Sequence, residues 1–139
     1  MAFSIALGGS IYRTRWLYHP HRWLNLFAIL SWECFEQKLP VGDAPFQLYS
    51  LGTPNGIKVT IMLEELKELG VEGADSDLYT INIGEGDQFG SDFVEINPNS
   101  KIPALVDHSQ SPRLEIFESG SILLYLAEKF DQLIPTDIH

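Results

Sequence analysis

Two short segments of the chain carry polar groups that suit a bound anion. Thr53-Pro54-Asn55-Gly56 places a hydroxyl and an amide where a helix is predicted to begin directly after a strand. Free backbone N–H groups and the helix dipole stabilise negative charge at such a point, and they lower the pKa of a thiol bound there. Phe117-Glu118-Ser119-Gly120 begins another predicted helix, and it offers a carboxylate for an ammonium group and a hydroxyl for a carboxylate.

A third segment, Ser100-Lys101-Ile102-Pro103-Ala104, places a proline at the mouth of a predicted strand. A cis bond at Pro103 would turn the N–H and C=O of Ile102 outward, as an edge for an extended peptide. Taken singly, the three segments also suit ordinary structure, namely two helix caps and an X-Pro strand start. Taken in order, they suit one ligand, a small peptide with a thiol and an α-amino acid group.

The other reactive residues form no catalytic or metal-binding pattern. Cys34 is the only cysteine, so no disulfide framework, thiolate zinc site or Cys-x-x-Cys pair can form within one chain. The histidines, at positions 19, 21, 108 and 139, stand at no metal-ligand spacing, and we expect no metal. The pattern Gly84-x-Gly86-x-x-x-Gly90 has the wrong last spacing for a dinucleotide loop, and Glu85 and Asp87 would repel a pyrophosphate.

Length and charge narrow the class of protein. The chain has 139 residues, about one domain, with 45% hydrophobic and 20% charged residues, which is enough to close a core. Nineteen acidic residues against nine basic ones give a net charge of −10, which disfavours nucleic acid and anionic membranes as partners. The single cysteine fits a reducing compartment, and we expect a cytoplasmic protein.

Residues 1–35 differ in character from the rest of the chain. Three arginines against one glutamate give this stretch a net charge of +2, and it holds all three tryptophans. Its longest apolar run, from Trp23 to Phe35, is well short of the roughly 20 residues that span a bilayer. We predict an aromatic, basic N-terminal arm over residues 1–37, followed by a globular domain over residues 38–135.

Hydrophobic periodicity and turn residues predict the elements that position the three segments. The predicted strands are Gln47–Leu51, Leu78–Ile83, Pro103–Asp107 and Leu114–Phe117, and the predicted helices are one capped by Thr53, a short one over Ser91–Ile96 and one capped by Ser119. The first helix has an apolar face made of Val59, Met62, Leu63, Leu66 and Leu69, and Gly70 ends it as a left-handed cap. The order β-α-β-α-β-β-α predicts an α/β fold, a mixed sheet with helices on its faces.

These segments, in this order, resemble the N-terminal, thioredoxin-like domain of cytosolic glutathione transferases. The resemblance covers roughly residues 36–135, and it is strongest to the bacterial Nu class, described as glutathione-dependent disulfide-bond reductases. The Glu118-Ser119-Gly120 and Ile102-Pro103-Ala104 motifs are general to the superfamily, whereas Thr53-Pro54-Asn55-Gly56 with Gly86-Asp87-Gln88-Phe89 is specific to this class. Further matching stretches are Leu39–Gly42, Leu48–Gly52, Asn97–Lys101 and Ile122–Lys129.

The resemblance implies that the ligand and co-substrate is glutathione, γ-Glu-Cys-Gly. Thr53 and Asn55 would hold its sulfur as a thiolate, where other classes use Tyr, Ser or Cys. Ile102, before a cis Pro103, would bond to the cysteinyl backbone. No metal or flavin is implied, and the substrates would be small disulfides or electrophiles.

The resemblance also assigns residues to the two ends of the ligand. Glu118 would meet the ammonium of the γ-glutamyl group, and Ser119 would meet its carboxylate. Gln88, together with Lys101, would reach the glycyl end or a second glutathione.

In the family, this domain continues into an all-helical second domain, and the full-length protein is a homodimer. We expect residues 136–139 to begin the linker to that domain, which is missing from this chain. Apolar surface on the first and last helices would then be uncovered. We therefore expect a marginally stable or aggregation-prone chain, unless the N-terminal arm covers that surface.

The activity that the resemblance implies is glutathione-dependent disulfide reduction, and whether this shortened chain retains it as an enzyme stays open. The alternative is a glutathione transferase-like interaction module with no turnover. A glutaredoxin or thioredoxin shares the fold but needs a nucleophilic cysteine at the helix start, and Thr53-Pro54-Asn55 has none.

Overall fold

Four strands form the sheet, and their register sets where the loops around it lie. The computed structural model describes residues 35–135, so most of the predicted arm and residues 136–139 lie outside the described part. The strands are β1 (Phe46–Ser50), β2 (Ser76–Thr80), β3 (Ala104–Asp107) and β4 (Leu114–Phe117), in the spatial order β2-β1-β3-β4. β2 runs parallel to β1, whereas β3 is antiparallel to both β1 and β4.

Within the described residues, three helices cover the two faces of this sheet. They are α1 (Pro54–Glu68), α2 (Ser91–Ile96) and α3 (Ser119–Phe130), and a short 3₁₀ turn, Asp87–Phe89, precedes α2. α1 and α3 pack on one face around a core that includes Leu48 and Leu105. α2 packs on the other face against Tyr49, Ile81 and Val106. Each face is therefore closed by its own apolar cluster.

The predicted α/β fold and the predicted order of elements are confirmed. Thr53 caps α1, and Gly70 has a left-handed φ of 69° just beyond its end, as expected. The buried face of α1 is confirmed except at its last member. Leu69 is 55% exposed, because the helix ends at Glu68 and Leu69 is its C-cap.

Two other predictions at the ends of elements are wrong. β2 covers Ser76–Thr80 rather than Leu78–Ile83, because it pairs with all five residues of β1 and ends where β1 ends. Ile83 lies beyond the sheet and is 42% exposed. Ser119 is the first residue of α3 rather than its N-cap, and Glu118 takes the cap position. The bounds of β1 and β3 differ from prediction by one residue.

One edge of the sheet gathers the loops of the three predicted segments. Tyr49, Ala104 and Phe117 are aligned across β1, β3 and β4, and Ser50 is aligned with Thr80 of β2. β1, β2 and β4 therefore end at the edge where β3 begins. The start of α1, the start of α3 and the loop before β3 all lie at this edge.

Among residues 35–135, no helix is both long and apolar enough to cross a membrane. The longest, α1, has 15 residues, and its outer side carries charged side chains.

Candidate functional site

The start of α1 presents hydrogen-bond donors that are free to meet a ligand. Thr53 has an extended backbone, with φ −96° and ψ 161°, and its Oγ1 accepts a hydrogen bond from the N–H of Gly56 at 3.2 Å. A hydroxyl that accepts in this way still has its own proton to donate. Asn55 is exposed, and neither its N–H nor its side-chain amide has a partner within residues 35–135. These donors suit an anion at the positive end of the helix.

Gly56 brings the start of α1 directly onto the end of β1. A Cβ at this position would collide with the carbonyl oxygen of Leu51 and the Oγ of Ser50. A larger residue would therefore require the helix to move. The last residue of the Thr53-Pro54-Asn55-Gly56 motif thus sets the position of the residues before it.

Two other hydroxyls at this edge are already engaged. The Oγ of Ser50 is buried and donates to the carbonyl of Leu51 at 3.4 Å. The hydroxyl of Tyr49 donates to the carbonyl of Pro40 at 2.8 Å. Burial, and then the neighbouring Tyr79, raise the pKa of Tyr49 to about 12, so its hydroxyl stays protonated at neutral pH. Of these three hydroxyls, only that of Thr53 still has a proton to donate to a sulfur at the start of α1.

The loop before β3 presents an unpaired backbone edge. The Ile102–Pro103 bond is cis, and the N–H and C=O of Ile102 have no partner within the described part of the chain. Both groups are available to an extended peptide. The buried Asn97 holds this loop, because its Nδ2 donates to the carbonyl of Lys101 at 2.6 Å and its Oδ1 accepts from the N–H of Asn99 at 3.0 Å. The role of Asn97 was not predicted from the sequence, since the Asn-Pro-Asn pattern indicates only a turn.

The start of α3 combines a residue in a strained backbone conformation with backbone N–H groups that have no side-chain cap. Glu118 is exposed and has φ 68° and ψ 117°, in the left-handed range that non-glycine residues rarely adopt. Such outliers cluster at functional sites. No side chain caps the helix, so its first N–H groups can bind a carboxylate, while the Glu118 carboxylate is free for an ammonium group.

Gln88 and Lys101 lie on the loops after β2 and before β3. Gln88 belongs to the 3₁₀ turn, and its Oε1 is buried without a hydrogen-bond partner among residues 35–135. Lys101 is exposed, and its ammonium forms no ion pair in the same range. The two side chains do not bond to each other, so the structure brings them to one edge without joining them.

The described residues offer groups for a peptide rather than for a metal ion. Between residues 35 and 135, no three His, Cys, Asp or Glu side chains are arranged to hold a metal. This range also contains no cysteine, because Cys34 precedes it. Any sulfur that reacts at the start of α1 must therefore come from a ligand or from outside the described residues.

A family of known proteins matches most of the described residues. The family model described as glutathione S-transferase, N-terminal domain, matches residues 44–128, which is more than half of the chain. The chain belongs to the glutathione transferase family. The matched range includes the start of α1, the Ile102–Pro103 bond and nearly all of α3, so the candidate site lies within the transferase domain itself.

Bacterial members of the transferase family are closely similar to this chain. An uncharacterized GST-like protein of Streptococcus mutans is 69% identical over 103 residues, 74% of this chain and 39% of that protein. The disulfide-bond oxidoreductase YghU of Escherichia coli is 63% identical over 114 residues, 82% of this chain and 40% of that protein. The crystal structure of glutathione transferase YghU from Streptococcus pneumoniae, complexed with glutathione, has a TM-score of 0.73 and 63% identity, covering 74% of this chain and 40% of that one. The chain thus spans about two fifths of the length of these relatives.

Proposed function

We propose that this chain binds glutathione with the sulfur at the start of α1, and that it supports glutathione-dependent disulfide reduction. The observation that carries the proposal is the set of unused donors on Thr53 and Asn55, at a helix start with no cysteine beside it. Two relatives add support, one named a disulfide-bond oxidoreductase and one crystallised with glutathione.

The rest of the ligand follows the edge of the sheet in our proposal. The cysteinyl backbone pairs with the free N–H and C=O of Ile102, beside the cis Pro103. Glu118 meets the γ-glutamyl ammonium, and the first turn of α3, with Ser119, meets the γ-glutamyl carboxylate. The glycyl carboxylate extends toward Gln88 and Lys101, on the loops after β2 and before β3.

The proposed reaction is thiol–disulfide exchange between glutathione and a small disulfide. The bound glutathione thiolate attacks one sulfur of the substrate, forms a mixed disulfide and expels the other sulfur as a thiolate. A second glutathione thiolate then attacks the mixed disulfide and releases the remaining substrate thiolate. Two glutathiones are oxidised to glutathione disulfide, and the substrate disulfide is reduced to two thiols. The donors on α1 favour the first attack because they stabilise the thiolate.

The matching experiment measures glutathione-dependent reduction of a small disulfide by the wild type and by Thr53→Ala and Asn55→Ala. We expect each variant to lose about an order of magnitude or more in rate, since a hydrogen bond to a charged group contributes about 1.5–3 kcal/mol. Thr53→Ser keeps the hydroxyl and serves as the matched control, with a rate close to that of the wild type. Unchanged rates in both alanine variants would refute the sulfur assignment.

We propose that residues 38–135 form the glutathione-binding unit, that the full-length enzyme acts as a homodimer, and that the protein works in the reducing cytoplasm. Retention on immobilised glutathione tests the binding step by itself. An interaction module with no turnover predicts no retention.

A further inference from the structure

The segment ahead of β1 is clamped to the start of α2, beside the loop that carries Gln88. The carbonyl of Phe35 accepts from the N–H of Ser91 at 3.0 Å. The Oγ of Ser91 accepts from the N–H of Gln37 at 3.0 Å and donates to its carbonyl at 3.1 Å. Further along, the N–H of Leu39 donates to the carboxylate of Asp92 at 3.0 Å. The backbone of Gln37 is therefore held in one place.

The side chain of Gln37 reaches into the turn before α2. Its Nε2 donates to the carbonyl of Asp87 at 3.1 Å, and its Oε1 accepts from the N–H of Phe93 at 3.4 Å. Phe93 supplies one of the N–H groups that the first turn of α2 leaves without a helical partner, and the N-cap residue, Gly90, has no side chain to meet it. Gln37 thus fills the role of a cap from a distant part of the chain.

Gly90 leaves the space that Gln37 occupies. A Cβ on Gly90 would overlap the side-chain amide of Gln37. The backbone of Gly90 is ordinary, with φ −68° and ψ 152°, a conformation that any residue adopts. Glycine therefore matters at this position for space rather than for backbone conformation, because a larger residue would displace the Gln37 amide.

The bond from Gln37 acts on the peptide group that enters Gln88. The Asp87 carbonyl belongs to the peptide plane between Asp87 and Gln88. It accepts a hydrogen bond from the N–H of Gly90 within the turn and another from the Nε2 of Gln37 outside it, each at 3.1 Å. The carboxylate of Asp87 is held from another direction by the N–H of Asn82, at 2.9 Å. We propose that Gln37 is a positioning residue for the glycyl end of the glutathione site and acts through Gln88. This inference rests on the proposed glutathione binding.

The test compares two ligands, glutathione and γ-glutamylcysteine, which lacks the glycyl residue. We expect Gln37→Ala to weaken binding of glutathione by about three- to tenfold, while the affinity for γ-glutamylcysteine stays within about twofold of wild type. Gln37→Glu keeps an acceptor for the N–H of Phe93 but replaces the donor to the Asp87 carbonyl with a carboxylate oxygen, so we expect the same selective loss while the cap of α2 is kept. Glu36→Gln changes an exposed neighbour of Gln37 and should leave the preference between the ligands unchanged.

The combination with Gln88→Ala completes the test. If Gln37 acts through Gln88, the double variant loses no more affinity for glutathione than Gln88→Ala alone. Three results would each overturn the inference. The Gln37 variants could lose equal affinity for both ligands, or the double variant could lose the product of the two single losses. Gln88→Ala could also leave the preference for glutathione over γ-glutamylcysteine unchanged. A wild-type protein that binds neither ligand would overturn the proposed function instead.

Discussion

Asp107 is a fully buried carboxylate at the end of the sheet away from the candidate site. It accepts hydrogen bonds from the Nζ of Lys129 at 2.6 Å, from the hydroxyl of Tyr125, and from the N–H of Ser109 at 2.7 Å. Burial by itself would raise the pKa of Asp107, but the bonds from Lys129, Tyr125 and Ser109 hold it below its usual value. The carboxylate is therefore charged in the folded protein and depends on Lys129 for its counter-charge.

Lys129→Met should lower the free energy of unfolding at neutral pH by about 2–4 kcal/mol, because a buried carboxylate loses its cation. In the wild type, the folded-state pKa of Asp107 lies below the unfolded one. Its contribution is therefore present above the unfolded pKa and is lost as pH falls through the folded pKa. In Lys129→Met the carboxylate loses its cation, so its pKa rises above the wild-type value and the difference in stability between the two proteins narrows on acidification. Urea unfolding across acidic and neutral pH measures both effects.

Arg113→Met is the matched control for the buried ion pair. Arg113 pairs with Glu115 at 2.9 Å on the surface, where both side chains contact water. This substitution should cost less than about 1 kcal/mol. Equal costs for the two variants, or a gap that widens as pH falls, would contradict the role given to Lys129.

The residues of the site differ in how far local sequence could predict them. Thr53 could be identified because a cap and its helix are neighbours in the chain. Ser119 was misassigned as a cap, because serine is the commoner cap and the left-handed Glu118 is set by its surroundings in the fold. Gln37 was missed, since its partners lie 50 or more residues away and leave no local pattern.

At the scale of elements, the contact between α1 and β1 depends on Gly56. Gly56→Ala should destabilise the protein by about 1–3 kcal/mol, because the new Cβ forces the helix away from Leu51. Glutathione affinity should fall as well, since Thr53 and Asn55 move with the helix. Thermal unfolding and ligand titration check the two effects.

Gly120→Ala is the control for Gly56→Ala, because it makes the same change in a helix without a close contact. Gly120 lies in the first turn of α3, and a Cβ there would meet no atom within 4 Å. This change should stabilise the protein by up to about 1 kcal/mol, because alanine favours the helix and restricts the unfolded chain. A Gly56→Ala variant as stable as Gly120→Ala, with wild-type affinity, would show that the close contact has no consequence.

The order of elements was predictable, whereas some of their ends were not. Apolar spacing within one segment is enough to distinguish α1 from β1. The bounds of β2 depend on the length of β1, its partner, so the alternation of Tyr79, Ile81 and Ile83 led the prediction past the end of the sheet. Contacts between segments decide where an element stops.

At the scale of the whole molecule, large apolar side chains remain exposed on both helices of one face. Ile57 and Ile61 on α1 and Leu124 on α3 are each about half exposed. Beside α1 lies a groove of about 260 Å³, whose lining includes Ile57, Ile61 and Leu78. This surface is where the expected tendency of the isolated chain to associate would arise.

Ile61→Gln combined with Leu124→Gln should raise the protein concentration at which the chain remains monodisperse. Both side chains are exposed, so the free energy of unfolding should change by less than about 0.5 kcal/mol each. Ser121→Gln places the same amide on α3 without removing apolar surface and should change neither property. Light scattering and denaturant unfolding provide the measurements. A wild-type chain that is already monodisperse at every concentration would contradict the expectation.

If the start of α1 holds the sulfur of glutathione as a thiolate, binding must release the proton of the thiol, and calorimetric titration detects this release. Titration of glutathione in two buffers of different ionisation enthalpy counts the protons released on binding. We expect glutathione to bind with proton release near neutral pH, and S-methylglutathione, whose sulfur cannot ionise, to bind more weakly and without release. No heat with glutathione, or equal affinity for both ligands without proton release, would contradict it.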